Sequence, residues 1–303
     1  MLSSSIRQRG LRPRKIGAAL TVVPAPGIFI ATALSTYMGA GFAVSLFSVM
    51  PPATVAWWRI TIGALVLLAW RRPWGGGLRA RGRAWTRRAL GAAAAFGVAT
   101  ATMNVLFYAS ISYLPMGTAV ALEFLGPVMV AVLTGRGWRT RIAAALAMAG
   151  VAAISGVGLD ISNPAHRTGM LLALAAGLAW AGYILLGREV ATGGMGLDAL
   201  AVGTAAGALF YTPLAATTAS GALSSTGTAA AVLGVAVLST VVPYALDQVN
   251  LGRLSTDTFS LLTSLMPATS MVVGIVMLRQ TPNAGELVGL ILVSLAVALA
   301  GRS

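Results

Sequence analysis

Long apolar runs separated by short polar gaps repeat along almost the whole of the 303-residue chain. A transmembrane helix needs about 20 mostly apolar residues to cross roughly 30 Å of hydrocarbon. The pattern predicts ten such spans, with boundaries good to a few residues. They are 27–48, 53–70, 89–110, 115–134, 142–159, 168–187, 197–216, 227–249, 255–278 and 284–301.

The gaps between spans are short, so neighbouring helices are expected to form tight antiparallel hairpins. Pro51-Pro52 and Tyr113–Pro115 are examples, and the longest hydrophilic gap, Arg71–Arg88, has the length of a loop. Residues 1–25 are interpreted as a basic cytoplasmic tail. The apolar stretch from Pro26 to Met50 is too long for the apolar region of a signal peptide, and is read as an uncleaved first span.

Only 9% of the residues are charged and 57% are hydrophobic. A soluble domain carries about 25% charged residues, so most of this exterior is predicted to face lipid. The apolar runs are continuous, whereas a transmembrane barrel shows short alternating segments. The fold class is therefore an all-α integral membrane protein of ten helices.

The net charge of +14 comes mainly from the loops on one side of the predicted bundle. Of the 21 Lys and Arg residues, all but Arg59, Arg167 and Arg279 fall in gaps or termini on that side. The positive-inside rule then places both termini in the cytoplasm, with the protein in an inner membrane. The cations are not interleaved with aromatic residues, so nucleic acid is not an expected partner.

Residue types exclude several chemistries. With no Cys and one His, no disulfide and no thiolate or histidine metal site is expected. No nucleotide-binding motif is found, so ATP is not the direct driver. The expected partners are a small-molecule solute and membrane lipids, with no cofactor, in a monomer or homodimer.

The two halves of the chain resemble each other. Leu114–Pro127 aligns without gaps on Leu254–Pro267 at an offset of 140, and Gly63–Leu65 matches Gly207–Leu209 at 144. A duplicated unit with an odd number of spans must be inverted in the membrane. Inverted repeats are a common transporter architecture, with the substrate near the midplane between them.

The boundaries of the two predicted repeats follow from this alignment. Residues 26–160 form the first five-helix unit and residues 161–303 the second. The sequence therefore predicts two domains of the same fold that face opposite sides of the membrane.

The stretch Pro115–Pro127, PMGTAVALEFLGP, resembles the fourth span of the drug/metabolite transporter superfamily, and within it the EamA-type threonine/homoserine exporters. Matching stretches elsewhere are Ser45-Leu-Phe, Ala179–Leu186, Leu238–Asp247 and Arg253–Phe259. The resemblance implies two inverted five-helix repeats, alternating access, and export of amino acids or similar metabolites.

Three positions depart from that family's pattern. Met266 stands where a Glu is usual, Arg279-Gln280 replaces an acidic residue, and Val44 replaces a Lys. These losses leave the family resemblance intact and leave the substrate and the driving ion open.

Ionisable groups inside spans cost about 2.5–3.5 kcal/mol each on insertion scales and are functional candidates by default. Three stand out: Arg59, Glu123 and Asp247. Glu123 can bind a substrate ammonium or exchange a proton. The alternative is a structural carboxylate, paired with Arg59 or capped by neighbouring hydroxyls. Arg59 can bind a substrate carboxylate with its planar fork, or extend to the interface beside Trp57-Trp58. Asp247 is a second candidate for substrate binding and proton coupling, or a solvated residue at a span end.

Uncharged polar residues complete the candidate site. Asn104 and Tyr108 share one helix face, as do Trp180 and Tyr183, and Thr263 lies beside Ser264 on span nine. Such groups can orient a small ligand in an apolar pocket, or simply join helices by hydrogen bonds.

Two prolines, Pro127 and Pro267, occupy equivalent places in the repeats. Each removes a backbone donor and frees a carbonyl one turn earlier. They are interpreted as hinges or cavity-lining kinks, with kinked packing as the alternative.

The leading functional interpretation is a secondary, proton-coupled exporter of a neutral amino acid such as threonine or homoserine. Alternatives are a drug, nucleoside or other metabolite exporter on the same fold, or a membrane scaffold without transport. An intramembrane enzyme is disfavoured, because the spans lack a convergent nucleophile, base or metal-ligand set.

Overall fold

A computed structural model of the chain describes residues 24–74, 85–134, 137–154, 159–192, 196–243, 246 and 262–300. Within these ranges every regular element is helical and no strand occurs. The prediction of an all-α protein is confirmed.

The described helices follow the predicted spans in order. They are α1 Ala25–Ser45, α2 Pro52–Arg71, α3 Arg87–Ser110, α4 Met116–Glu123, α5 Leu125–Thr134, α6 Trp138–Ala153, α7 Pro164–Thr192, α8 Gly196–Ala215, α9 Thr226–Ala236, α10 Met266–Leu278 and α11 Ala284–Ala300. Short 3₁₀ turns lie at Leu46–Ser48 and Ala219–Leu223, and a π turn at Val237–Val241 continues α9.

Five helical stretches in the described ranges are long and apolar enough to cross a bilayer. They are Pro26–Ser48, Pro52–Arg71, Arg87–Ser110, Met116–Thr134 and Pro164–Gly187. Shorter apolar helices cover Thr226–Val241, Met266–Leu278 and Ala284–Leu299. The chain thus has the helices of a membrane protein, and the ten-span arrangement stays a prediction.

Prolines mark where several helices begin. Pro51 and Pro115 are the N-caps of α2 and α4, and each directly follows a tight turn. A helix leaves its first backbone N–H groups without intrahelical partners, so a proline there loses no hydrogen bond. The prolines in the short gaps between predicted spans therefore also mark the start of the next helix.

The surface of the bundle is apolar. Leu133 on α5, Leu209 on α8 and Val276 on α10 are each more than 70% exposed. A helix whose outward side chains are large and apolar fits a lipid solvent, in which such side chains are not penalised. Polar side chains, in contrast, are concentrated inside the bundle.

α4 is the most enclosed helix. All eight of its residues are buried, and it packs against α7, α10 and α11. α3 lies between α7 and α8, α8 also packs on α2, and α6 pairs with α11. The helix that ends in Glu123 therefore lies at the centre of the bundle.

Glycine allows the backbones of α5 and α7 to touch next to Glu123. A Cβ on Gly177 would lie 2.6 Å from the carbonyl oxygen of Glu123, and a Cβ on Gly126 would lie 1.8 Å from the carbonyl oxygen of Gly177. Both distances are far below van der Waals contact. The crossing of these two helices depends on the absence of side chains at this point.

A second glycine crossing joins α6 and α11. A Cβ on Gly150 would lie 3.0 Å from the Gly289 carbonyl oxygen, and a Cβ on Gly289 would lie 2.7 Å from the Gly150 carbonyl oxygen. The small residues of these two helices are therefore used for packing within the chain.

Gly177→Ala should lower the thermal unfolding midpoint of the purified protein in detergent. The added methyl group meets backbone atoms that cannot move aside, and overpacking of this kind costs about 1–3 kcal/mol. Gly182→Ala, on the same helix, is the control, because no atom lies within 4 Å of its Cβ position. Equal midpoints for the two variants would contradict the crossing.

Candidate functional site

The guanidinium of Arg59 reaches from α2 into the interior of the bundle. Its Nε donates to Thr240 Oγ1 at 3.3 Å and its Nη2 to the Ser239 carbonyl oxygen at 2.8 Å, while Nη1 donates to Asn104 Oδ1. Arg59 therefore joins α2 to α3 and to the π turn.

The π turn is what supplies the Ser239 carbonyl. In a π turn the hydrogen bonds span one residue more than in an α-helix, which is rare and frequent at functional sites. Ser239 and Thr240 are both buried within this turn. The local irregularity thus presents a backbone and a side-chain acceptor to the same cation.

Asn104 and Tyr108 meet Arg59 from one face of α3. The Asn104 amide donates to the Thr100 carbonyl oxygen at 2.7 Å, which turns its own oxygen toward Arg59. The Arg59 Cζ lies 5.5 Å from the centroid of the Tyr108 ring, a cation–π distance. The Tyr108 hydroxyl is buried and has no hydrogen-bond partner within the described residues.

The neighbouring indoles also point inward. Trp57 Nε1 donates to the Ala208 carbonyl oxygen at 2.9 Å, and Trp58 Nε1 donates to the Ala219 carbonyl oxygen at 3.1 Å. Both bonds join α2 to the α8 region. Arg59 and its two Trp neighbours are thus held in the bundle, and the alternative in which Arg59 extends to the interface does not hold.

A small cavity of about 30 Å³ lies beside Arg59. It is lined by Arg59, Ile60, Gly97, Thr100, Ala101, Asn104, Thr204 and Thr240. Thr100 and Thr204 donate their hydroxyl protons to carbonyl oxygens one turn earlier. Their oxygens therefore remain available as hydrogen-bond acceptors for a ligand.

Glu123 is the last residue of α4, and only 7% of it is exposed. It does not line the Arg59 cavity, but it is electrostatically attracted to Arg59 and also interacts with Tyr37 of α1. Glu123 is thus a buried acid in the interior of the bundle.

The predicted proline positions coincide with helix breaks. Helix geometry is interrupted at Phe124, and α5 restarts at Leu125 with Pro127 in its first turn. In the second half, α10 starts at Met266 directly before Pro267. The carbonyl of Glu123, one turn before Pro127, is the atom that faces Gly177.

Trp180 and Tyr183, which share one face of α7, contact different aromatic residues. The Trp180 ring contacts Phe124 edge-on at 4.6 Å between centroids, while the Tyr183 ring stacks on Phe96 at 4.9 Å. Thr263 is half-buried just before α10. Asp247 lies outside the described residues, so its surroundings stay a prediction.

Comparisons with known proteins identify the family of this chain. The model of the EamA-like transporter family matches the chain twice, over residues 25–159 and 167–302. The chain belongs to the EamA-like transporter family. It is therefore a membrane-spanning transporter and not an enzyme.

Curated relatives of this EamA-like protein match over most of its length. The threonine/homoserine exporter RhtA of Escherichia coli strain K12 is 36% identical over 277 residues, which cover 91% of this chain and 90% of the exporter. The exporter of the same name from Salmonella typhimurium strain SL1344 is 37% identical, covering 82% and 81%. A protein known from a crystal structure shares the fold at a TM-score of 0.54 and 18% identity, covering 91% of this chain and 97% of that one.

Sequence reasoning missed three polar groups of this EamA-like protein. Tyr37 is buried beside Glu123, and no local pattern in α1 distinguishes it. Asp198 pairs with Arg71 at 3.0 Å between the ends of α8 and α2. Glu286 is only 3% exposed at the start of α11, and the spacing Asn283-x-x-Glu286, which resembles a capping box, is a signal that could have identified it.

Arg59→Lys should reduce solute flux in proteoliposomes by at least about tenfold, the factor that 1.4 kcal/mol produces. Lysine keeps the charge but lacks the planar fork that reaches Asn104, Ser239 and Thr240 together. Arg167→Lys, at an exposed position, is the control and should transport normally. Unchanged flux in Arg59→Lys would remove the guanidinium geometry from the mechanism.

Proposed function

We propose that this protein is a secondary exporter of a small neutral amino acid, with threonine and homoserine as the leading substrates. The observation that carries the proposal is the match to threonine/homoserine exporters over 91% of the chain. The presence of Arg59 and Glu123 inside the bundle supports it, because an amino acid presents both a carboxylate and an ammonium.

Arg59 and Glu123 supply opposite charges for such a zwitterion. Arg59 has five N–H donors, and three of its hydrogen bonds go to the protein, so two donors remain for a carboxylate. Glu123 carries the charge that an ammonium requires. Thr100 and Thr204 offer acceptors to the hydroxyl of the substrate side chain.

The ten spans are proposed to form two inverted five-helix repeats, 26–160 and 161–303. The double family match supports this division. Helix pairing supports it too: α3 packs on α7 and α8, and their counterparts correspond to α9 packing on α1 and α2. Likewise α4 and α5 pack on α7 as α10 packs on α1. Exchanging the halves therefore exchanges the main contacts.

Alternating access is proposed to use the two proline breaks as hinges. Pro127 and Pro267 lie at the same place in each repeat, and helix geometry restarts at both. A broken helix at membrane depth is tolerated where protein or cavity water satisfies the freed groups. Rocking of one repeat against the other would then bend the chain where it is already interrupted.

Proton coupling is assigned to Glu123, with Asp247 as the second candidate. A buried acid that faces a cation can gain or lose a proton as the cavity changes sides. The basic residues on one predicted side support cytoplasmic termini in an inner membrane. Those loops would face anionic lipid headgroups.

Export of a drug, nucleoside or other metabolite on the same fold is the second candidate. The observation that favours it is Met266 of α10, which stands where the resembled exporters usually carry an acid. Loss of that acid leaves the second repeat less suited to hold an ammonium.

Counterflow in proteoliposomes loaded with unlabelled threonine should accumulate labelled threonine and labelled homoserine. Valine, which has the shape of threonine without its hydroxyl, should exchange at least about tenfold more slowly, because buried acceptors would be left unpaired. Exchange of nucleosides or cationic drugs without exchange of any amino acid would favour the second candidate instead.

Glu123→Gln should abolish the response of flux to an imposed pH gradient, because glutamine keeps the shape of the side chain but cannot titrate. The ratio of gradient-driven flux to counterflow is the measured quantity, and it should fall at least about tenfold. Asp160→Asn, in an exposed turn, is the control. Full gradient-driven transport by Glu123→Gln would exclude Glu123 as the coupling group.

A further inference from the structure

One end of α4 is held by side chains that the proposed transport chemistry does not use. Met116 and Thr118 lie in the first turn of α4. Their partners are Gln280, between α10 and α11, and Glu286, in the first turn of α11. We name these two contacts the α4 latch. On the proposed topology the latch lies at the outer face.

The Glu286 carboxylate serves two helices at once. One oxygen accepts from the Asn283 backbone N–H at 3.0 Å, while Asn283 Oδ1 accepts from the Glu286 backbone N–H at 3.0 Å, a capping box that starts α11. The other oxygen accepts from the Thr118 hydroxyl at 2.7 Å. Since Glu286 is 3% exposed, this bond is shielded from water.

Gln280 holds the same turn of α4 through its backbone. Its Oε1 accepts from the Met116 N–H at 3.0 Å, one of the N-terminal donors that a helix cannot satisfy itself. Arg279, with φ of 53°, ends α10 in the left-handed conformation, and the Gln280 N–H returns to the Gly274 carbonyl oxygen at 3.1 Å. The helix end thus places the Gln280 amide against α4.

The other end of α4 is the break at Phe124, immediately after Glu123. α4 is therefore an eight-residue segment, with the latch at its first turn and Glu123, the proposed coupling acid, at its last residue. A rotation of this segment would move Glu123 relative to Arg59, and the two latch bonds would oppose that rotation.

We propose that Glu286 and Gln280 are positioning residues that set the place of Glu123 by latching α4, and that the latch must open for the outer end of the bundle to open. This inference rests on the proposed function for its meaning in transport. The contacts themselves stand independently of the substrate.

The first repeat has no matching acid at the equivalent place. Glu286 is the third residue of α11, and the third residue of α6 is Thr140. The Thr140 hydroxyl is buried without a hydrogen-bond partner in the ranges that the structure describes. The carboxylate contact made by Glu286 therefore has no acidic counterpart at the start of α6.

The test uses a single reporter cysteine, and the chain has no native Cys to compete with it. Met271→Cys places a thiol on α10 against Gly117 of α4, where the native side chain is only 9% exposed. In nanodiscs, where both faces are accessible, Thr118→Val should raise the rate of maleimide labelling about threefold to tenfold, as expected for the loss of one interhelical hydrogen bond. Thr118→Ser keeps the hydroxyl and should restore the original rate.

Gln280→Leu and Gln280→Glu form a second matched pair. Leucine removes the acceptor for the Met116 N–H and should raise labelling, whereas glutamate retains an acceptor and should not. A reporter at Ala93→Cys, buried where α3 meets α8, should label at the same rate in every background. Equal acceleration at both reporters would mean general loosening and would overturn the latch.

Counterflow in the same variants separates the two proposals. Thr118→Val should change the maximal exchange rate at least about threefold and leave KM within about twofold, because Thr118 does not line the Arg59 cavity. A parent protein that exchanges no amino acid would remove the proposed function and leave the labelling test intact. Labelling at Met271→Cys that is unchanged by Thr118→Val would overturn the inference itself.

Discussion

The half-buried Arg59 cation, which donates to three residues inside the bundle, organises the site. A guanidinium inside a bundle surrounded by lipid must be compensated by hydrogen bonds or opposite charge, since water is not available to do it. The π turn, the orientation of the Asn104 amide and the position of the Tyr108 ring all serve this need. Glu123 is a second buried ionisable group in the interior of the bundle.

Close backbone contacts fix the positions of the helices near Glu123. α4 and α5 cross α7 where Gly126 meets Gly177, and the carbonyl freed by Pro127 lies in the same contact. A side chain at that point would push apart the helices that carry Glu123 and Trp180. The glycine crossing therefore determines how closely the helix that ends in Glu123 can pack on α7.

The sequence predicts the features that local spacing determines. Apolar periodicity locates the helices, positions four apart bring Asn104 and Tyr108 to one cation, and the two prolines mark the helix breaks. Spacing along one helix cannot reveal which other helix faces it. Trp180 and Tyr183 share a face of α7 yet contact different helices, at Phe124 and Phe96.

The polar groups missed from sequence were missed for related reasons. Tyr37 becomes significant only through Glu123, a residue far away in the chain. Glu286 stands at a helix start, where an acid is ordinary, and only the packing of α4 against it makes it unusual.

The hydrogen bonds that Arg59 already makes within the protein affect how tightly it could hold a solute. Three donors already serve the protein, so an arriving carboxylate meets a cation whose field is partly neutralised and whose geometry is fixed in advance. Binding of a carboxylate there would require little further ordering of the Arg59 side chain and would add little electrostatic attraction. If Arg59 binds the exported solute as proposed, this arrangement favours weak binding and ready release.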